Sequence, residues 1–214
     1  MNVTIIGSGN MGRAIGTRAV VGGHSVTFID PNPETAAKTA ADVKAFAKKG
    51  AKVSTASLGS AEFGEVVVLA VWYGTNIELA KQLGAKLAGK VVIDIANPVN
   101  STYDGLATAP DSSSAEDVAK VIAPGAKVVK AFNTTYASTL IAGQVAGQPL
   151  DVFIAGDDAE AKAKVAQLVT DGDMRAVDTG PLSRARQIEG MQFIHIVVQS
   201  VLGTNWGSAL KILS

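Results

Sequence analysis

The sequence lacks cysteine, which excludes disulfides, a thiolate nucleophile and a metal site built on thiolates. It also lacks an apolar run of about 20 residues, the length that a membrane-spanning helix requires. Its 19 basic and 19 acidic side chains cancel, unlike the charge of a typical nucleic-acid-binding protein. No basic segment followed by a cleavage site begins the chain. We therefore expect a soluble cytoplasmic protein that binds neither membranes nor nucleic acids.

Hydrophobic residues make up 47% of the 214 residues and charged residues 18%, which favours a folded domain over a disordered chain. The runs predicted as strands are 3–6, 25–29, 66–71, 91–95, 127–132, 152–155 and 174–177. The segments predicted as helices are 11–21, 34–49, 76–87, 113–122, 159–169 and most of the chain from residue 183. This alternation predicts an α/β fold, a doubly wound and mainly parallel sheet with helices on both faces.

A glycine-rich segment follows the first predicted strand and fits the pattern G-x-G-x-x-G, which binds dinucleotides when a helix comes next. Gly7 allows the tight turn, Gly9 leaves room for a pyrophosphate, and Gly12 lets the helix approach the sheet. N–H groups at the start of the helix then face the phosphates. The alternative is a tight turn that binds no ligand. The predicted pyrophosphate site consists of Gly7, Ser8, Gly9, Asn10, Met11 and Gly12.

Asp30 ends the second predicted strand, near the spacing at which an acidic residue binds the adenosine ribose. Its carboxylate would repel a 2′-phosphate, and residues 31–34 contain no Arg or Lys that could hold one. Arg13 and Lys38 are the nearest cations on the neighbouring helices, and neither lies at an obvious phosphate-binding position. From the residues alone we expect NAD(H).

Ligands of open parallel sheets bind beyond the carboxyl ends of the strands, so the turns at those ends should line the nicotinamide half of the site. Asn97 and Asn133 are candidates to hydrogen-bond the ribose or the carboxamide, with turn formation as their alternative role. Trp72 and Tyr73 are candidates to flank the nicotinamide or the second substrate, with packing against a helix as the alternative. These turns supply the candidates Ala70, Val71, Trp72, Asn97, Pro98 and Asn133.

Residues for acid–base or metal chemistry are scarce. His24 follows two glycines just before a strand, which predicts a turn residue away from the site. His195 lies in an apolar helix, which favours a buried or interfacial histidine over a catalytic acid. No cluster of His, Asp and Glu has the spacing of metal ligands. Direct hydride transfer, which needs mainly proximity and orientation, suits such a site, and no catalytic residue is assigned.

Several segments resemble the NADPH-dependent reductases of the deazaflavin (coenzyme F420):NADP oxidoreductase family. Besides the glycine loop, residues 128–134 (V-V-K-A-F-N-T) are similar to that family's V-K-A-F-N-T segment. Residues 94–98 (D-I-A-N-P) resemble its D-x-x-N-P turn, and residues 180–186 resemble the entry to its C-terminal helix. The spacing is that of a short, single-domain member. The membrane ferric reductases called STEAP proteins carry a similar domain.

The resemblance implies a Rossmann-type domain with a short C-terminal helical cap, often dimeric. It also implies hydride transfer between NADPH and a flavin- or deazaflavin-like acceptor. Members usually carry a Ser/Thr-Arg pair after the second strand to hold the 2′-phosphate, where this chain has Asp30, Pro31 and Asn32. By resemblance, the pyrophosphate is held by Gly7, Ser8, Gly9, Asn10 and Met11, and the nicotinamide lies near Ala70, Val71, Asn97, Pro98 and Ala131.

We divide the chain into a dinucleotide-binding domain over 1–182 and a helical segment over 183–214. Residues 191–202 predict a helix that is apolar on nearly all sides and must therefore be covered. A second subunit or a pocket for a flat acceptor would cover it, and we favour a homodimer. The loop 98–112 is a candidate to close over the site or an ordinary solvated loop.

Three functions fit these patterns. We favour an NAD(P)H-dependent reductase with a flavin-type or small carbonyl acceptor. A non-catalytic nucleotide-binding module, such as a redox sensor or an accessory subunit, would use the same glycine loop. A relative of the β-hydroxyacid dehydrogenases is disfavoured, because those enzymes have a large helical second domain and only about 30 residues follow residue 183 here.

Overall fold

The computed structural model describes residues 1–48 and 50–213. The strands are β1 (Asn2–Ile6), β2 (Ser25–Ile29), β3 (Val53–Thr55), β4 (Val66–Leu69), β5 (Val91–Asp94), β6 (Lys127–Lys130), β7 (Gln144–Val145), β8 (Gln148–Pro149), β9 (Asp151–Gly156) and β10 (Arg175–Asp178). The α-helices are α1 (Asn10–Val21), α2 (Pro33–Lys44), α3 (Tyr73–Leu83), α4 (Ser114–Val121), α5 (Ala137–Ala142), α6 (Ala159–Asp171), α7 (Ala185–Val197) and α8 (Gln199–Leu202). Two short 3-10 helices cover Gly84–Leu87 and Leu182–Arg184.

A sheet in the order β10-β9-β6-β5-β4-β1-β2-β3 forms the centre of the molecule. Neighbours from β3 to β6 in this order are parallel, whereas β9 lies antiparallel to β6 and parallel to β10. The short strands β7 and β8 form a separate hairpin. The predicted α/β fold with a mainly parallel, Rossmann-type sheet is therefore confirmed.

Helices cover both faces of the sheet, because the central strands are apolar on both sides. Val66 and Val68 of β4 join a buried cluster with residues of α1, α2, α5 and α6. Val67 and Leu69 of the same strand join a second cluster with residues of α3 and α4. The side chains of β4 thus alternate between two hydrophobic cores, as the period of a strand dictates.

The strand order reverses between β1 and β4, because the chain leaves β1 toward β2 and later crosses back to β4. In open α/β sheets a ligand binds in the crevice outside the carboxyl ends of the strands at such a reversal. The loops that follow β1, β2, β4, β5 and β6 all lie at this edge. The fold therefore brings most of the predicted site segments to the same edge of the sheet.

Several boundaries differ from those predicted. The sequence predicted a helix up to residue 49, but α2 ends at Lys44, and residue 49 lies outside the described residues. After α2 the chain turns so that the Lys48 N–H donates to the Val20 carbonyl at 3.1 Å, a tertiary contact that propensity does not show. The strand β3, the helix α5 and the hairpin β7–β8 were not predicted either, because each is short and lacks a clear period.

The helix predicted over most of the chain from residue 183 extends only to Leu202, and the direction in which α7 faces is unexpected. Gly203 takes a positive φ of 62° and ends α8, and residues 204–213 contain no further helix. The buried side of α7 and α8 carries Glu189, Gln192, His195 and Gln199. Several of the apolar residues predicted to be covered point outward instead. None of the helices described here is long and apolar enough to span a bilayer.

Candidate functional site

The turn between β1 and α1 is shaped by its glycines. Gly7 has a φ of +103°, and a Cβ on it would collide with the Ala70 carbonyl. A Cβ on Gly12 would collide with the Gly7 carbonyl, so both positions are closed to any side chain. Gly9 differs, since a Cβ there would meet no protein atom within 4 Å and its φ is −70°. The protein therefore leaves open space next to Gly9 alone of these three glycines.

None of the described side chains caps the N-terminus of α1 by accepting a hydrogen bond from its first N–H groups. Gly9 is the N-cap, no side chain accepts from the first turn, and no acidic residue lies in that turn. The first N–H groups of a helix need acceptors and carry a partial positive charge, so they attract anions. The arrangement of open space and N–H donors is that of a phosphate-binding turn.

Asp30 lies beside this turn, at the end of β2. One carboxylate oxygen accepts from the Ser8 N–H at 2.8 Å, and the other accepts from the Asn32 N–H at 3.0 Å. Asn32 in turn caps α2 by accepting from Glu34 N–H at 2.9 Å. The structure thus brings the predicted ribose-binding carboxylate into contact with the glycine loop.

The turn after β4 packs directly on the glycine loop. The Ala70 N–H donates to the Ile6 carbonyl at 2.8 Å, and the Val71 side chain lies against Gly7. Trp72 is the N-cap residue of α3, and 84% of its surface is exposed. Tyr73 turns away from this edge and donates to Asp117 of α4 at 2.7 Å. Burial and the Asp117 carboxylate raise the pKa of the Tyr73 hydroxyl to about 12. Tyr73 therefore packs against a helix, which was the alternative to a role beside the nicotinamide.

Asn97 and Asn133 link the turns after β5 and β6. The Asn97 side-chain amide donates to the Asn133 carbonyl at 2.8 Å, and the Asn133 amide donates to the Asn97 side-chain oxygen at 2.9 Å. Pro98 is buried beside them, and Ala131 is wholly buried. The two predicted asparagines therefore form one unit at the carboxyl edge.

Three buried side-chain oxygens at this edge have no hydrogen-bond partner among residues 1–48 and 50–213. They are Ser8 Oγ in the glycine loop, and Asn133 Oδ1 and Thr134 Oγ1 after β6. Buried polar atoms are almost always paired, so each such atom requires a ligand or a water. These atoms add to the indications that a polar ligand binds here.

Phe132 marks the same edge by its backbone. It is 1% exposed and has a φ of +63°, a left-handed conformation that a bulky residue rarely adopts. Thr135 stabilises the turn by donating from its hydroxyl to the Phe132 carbonyl at 2.7 Å. Such strain is concentrated at functional sites. The left-handed backbone at Phe132 was not predicted from the sequence, because no residue type in this segment indicates a positive φ at a phenylalanine.

A buried cluster of three charges lies beneath the turn after β5. Lys130 Nζ contacts Asp94 and Glu189 at 2.7 Å each, and all three side chains are fully buried. Lys130 also donates to the Ala96 carbonyl, so the cluster ties β5, β6 and α7 to the turn that carries Asn97. Sequence reasoning quoted Lys130 within a motif but did not predict this cluster, although a lysine in an apolar strand was a usable signal.

The charges of this cluster depend on one another. Burial opposes ionisation of Lys130, yet the attraction of Asp94 and Glu189 raises its pKa above the usual value. Burial also raises the pKa of Glu189, although Lys130 opposes that shift. The cluster therefore holds its positive charge firmly and positions the turn above it.

Both histidines lie where the sequence predicted. His195 is 5% exposed, with one ring nitrogen 3.1 Å from Gln192 Oε1 and the other 2.7 Å from Ser208 Oγ. His24 pairs with Asp171 at 3.1 Å just before β2, at the amino edge of the sheet. Within residues 1–48 and 50–213, no three His, Asp or Glu side chains could hold a metal ion together.

Comparison with known proteins assigns the chain to a family. Residues 2–98 match the family model described as NADP oxidoreductase, coenzyme F420-dependent. The F420-dependent NADP reductase of Methanothermobacter marburgensis is 31% identical over 200 residues, which cover 88% of each chain. The chain belongs to the F420-dependent NADP oxidoreductase family. The resemblance inferred from the sequence motifs is thereby confirmed, and so is the assignment to an oxidoreductase family.

Two further matches show how far the similarity to known proteins extends. A candidate F420-dependent NADP-reductase from Arthrobacter sp. FB24 superposes with a TM-score of 0.84 at 29% identity over 99% of both chains. Metalloreductase STEAP3 of Rattus norvegicus is 33% identical over 189 residues, covering 88% of this chain. The chain spans 36% of the length of STEAP3, so only one part of that protein is comparable.

Proposed function

We propose that this family member transfers a hydride between a nicotinamide dinucleotide, bound at the glycine loop, and a flavin- or deazaflavin-like acceptor. The open space at Gly9 carries the proposal, because the two neighbouring glycines are closed by protein atoms and Gly9 is not. A glycine that the fold itself does not require is expected where a ligand comes close to the backbone. The family relatives named for NADP and F420 support the reaction type.

The residues at the carboxyl edge fit the parts of a dinucleotide. The N–H groups at the start of α1 would hold the pyrophosphate. Asp30 would accept from the adenosine ribose, since each of its oxygens has a lone pair left after binding Ser8 and Asn32. The proposed cofactor-binding residues are Gly7, Ser8, Gly9, Asn10, Met11, Gly12, Asp30, Ala70, Val71, Trp72, Asn97, Pro98, Ala131 and Asn133.

Hydride transfer at this edge requires the protein to position the two ligands rather than to transfer a proton. The nicotinamide, when bound, supplies or takes up the hydride. Asn97 and Asn133 are held by each other and would orient polar groups of the ligand, and Asn133 Oδ1 still lacks a donor. Trp72, which is 84% exposed, offers an aromatic face at the mouth of the site for a flat acceptor. A mechanism by proximity and orientation requires no catalytic side chain.

A single substitution tests the site. Gly9→Ala should leave the fold intact, because its Cβ meets no protein atom and φ is negative, at a cost of about 1 kcal/mol for the poorer N-cap. Its methyl group would enter the ligand's space, so we expect dinucleotide binding to weaken by about 10- to 100-fold. The measurement is fluorescence titration with NADH and with NADPH.

Gly59→Ala is the matched control, because a Cβ at Gly59 also meets no protein atom and the Gly59 carbonyl accepts from Lys86, in the 3-10 helix that follows α3. It should bind dinucleotide as the unaltered protein does. Equal binding by Gly9→Ala and by the unaltered protein would refute the proposed site. Turnover is then assayed with F420 and with flavins as acceptors. Tight binding without turnover of any acceptor would support the non-catalytic module instead.

We also propose that the chain forms a homodimer. In this proposal, residues 1–182 are the dinucleotide-binding domain and residues 183–214 supply the interface between the two subunits. Residues 190–210 contain no Asp, Glu, Lys or Arg, so two copies of this surface would meet without like-charge repulsion. Outward from the helices lie Ile194, Val197, Val201 and Leu202, which we call the α7–α8 apolar face and which are 36–82% exposed. A contiguous apolar face of this kind favours a protein partner.

A further inference from the structure

The environment of Asp30 bears on which dinucleotide the site accepts. Its two carboxylate oxygens are both engaged by backbone N–H groups, one from Ser8 in the glycine loop and one from Asn32. These two bonds fix the carboxylate where β2 ends, beside the loop that would hold the pyrophosphate. The side chain cannot rotate away without leaving both amide groups without an acceptor.

The residues around Asp30 provide no compensating positive charge. Glu34 stands in the first turn of α2, so the segment after β2 adds a second acidic residue. Among the described residues, no lysine or arginine forms an ion pair with Asp30. Arg13, the nearest cation on α1, pairs instead with Asp42 at 3.5 Å. The N-terminus of α2, a type of position that attracts anions, is already capped by the Asn32 side chain.

Taking the proposed function as given, we propose that this chain prefers NAD(H) to NADP(H), and that Asp30 sets the preference. The two dinucleotides differ only by the 2′-phosphate on the adenosine ribose, which is the part that a carboxylate after β2 contacts. A hydroxyl donates to Asp30, whereas a phosphate there brings a second negative charge next to it. At a partly buried site this repulsion is only weakly screened. The adenosine pocket thus suits NAD(H), whereas the family is named after NADP.

Separate titrations with NADH and NADPH test the preference on the unaltered protein. We expect NADH to bind at least about tenfold more tightly, as judged by nicotinamide fluorescence. Equal or tighter binding of NADPH would overturn this inference and leave the proposed reductase site standing. Failure of both nucleotides to bind would overturn the proposed function together with the inference.

A pair of variants assigns the preference to Asp30. Asp30→Ser combined with Pro31→Arg removes the carboxylate, adds a cation and keeps the Asn32 cap, so it should reverse the preference toward NADPH. Asp30→Asn removes the charge and keeps one of the two accepting oxygens. It should narrow the ratio of the two dissociation constants by about tenfold. Glu160→Gln is the control, since Glu160 is an exposed acidic side chain on α6, and it should leave the ratio unchanged.

Arg13 is, with Lys38, one of the two nearest cations that could contradict the argument by moving to the phosphate. If Arg13 holds a 2′-phosphate, Arg13→Ala will weaken NADPH binding selectively, and the inference fails. If the inference is right, Arg13→Ala changes the affinities for NADH and NADPH by the same factor. Melting temperatures of all variants show whether each one is folded, and the titration of the unaltered protein decides the question even if one is not.

Discussion

Lys130 illustrates how one buried side chain can connect segments that are far apart in the chain. Its ammonium group is fully buried and contacts two carboxylates and a carbonyl. Burying a charge costs free energy unless partners replace its hydration, and here Asp94 and Glu189 are those partners. Asp94 also accepts from Asn76 and Ser114, so five elements meet at the cluster. The turn that carries Asn97 is held in position by this cluster, through the Ala96 carbonyl.

We predict that Lys130→Met lowers the free energy of unfolding by about 3–5 kcal/mol, because it leaves two buried carboxylates without their cation. Urea denaturation measures the change. The control is Lys127→Met on the same strand. Lys127 is half exposed and pairs with Asp158 at 3.1 Å, and losing such a surface pair should cost less than about 1 kcal/mol. Equal effects of the two substitutions would contradict the role given to the cluster.

At the scale of elements, α7 is unusual because its polar side faces inward. Gln192, His195 and Gln199 are buried and hydrogen-bond with one another and with Ser208 of the C-terminal tail. The Tyr136 hydroxyl donates to the His195 carbonyl at 3.0 Å, which ties the helix to the segment before α5. Because these inner side chains are satisfied, the apolar residues can occupy the outer side.

The buried His195 gives this element a pH dependence. Burial lowers its pKa below the usual value of about 6.5, so the folded protein favours the neutral ring more than the unfolded chain does. The unfolded chain therefore binds more protons, and stability falls as the pH decreases below about 6.5. We predict a falling melting temperature between about pH 7.5 and pH 5, measured by calorimetry.

His195→Gln should flatten this decrease, because Gln does not titrate. His24 contributes a decrease of the same sign, since burial and the nearby N-terminal amine also lower its pKa. His24→Gln should therefore flatten the profile further when combined with His195→Gln. If His195→Gln alone left the pH profile unchanged, the buried network of α7 would not be responsible.

At the scale of the whole molecule, the sheet topology assembles the site. Loops that are far apart in sequence meet because β1, β4, β5 and β6 are parallel neighbours whose carboxyl ends lie at one edge. Glu189 of α7 reaches the same region through the Lys130 cluster. The C-terminal segment is therefore joined to the site on its inner side and exposes the α7–α8 apolar face on its outer side. The expected cytoplasmic location stays a prediction.

We predict that Val201→Glu converts a homodimer into monomers, because Val201 is 82% exposed in the α7–α8 apolar face and a charge there opposes its burial. Light scattering coupled to gel filtration gives the mass. Leu213→Glu is the control, since Leu213 is 77% exposed but lies in the tail outside this face. A monomeric unaltered protein, or a dimer that survives Val201→Glu, would refute the proposed interface.

Local patterns alone were enough to predict much of this protein. The glycines after β1 and the apolar runs of the central strands predicted the α/β fold. The capping box of Ser113 and Glu116, with Ser113 Oγ accepting from the Glu116 N–H at 3.2 Å, lies at the start of α4. The predicted roles of Asp30, Asn97 and Asn133 in binding stay predictions, although the structure places all three at one edge of the sheet. Such features follow from neighbouring residues, and so the sequence contains them.

Other features arise only when distant segments meet. Lys130, Asp94 and Glu189 are separated by up to 95 positions, and nothing in their local sequences pairs them. The orientation of α7 likewise depends on which partners its polar residues find, because a helix with apolar residues on most sides has no preferred inner face of its own. The sequence by itself determined the elements and the glycine loop. The tertiary structure decided the charge cluster, the strained Phe132 turn and the outward apolar face, since each depends on contacts between segments far apart in the chain.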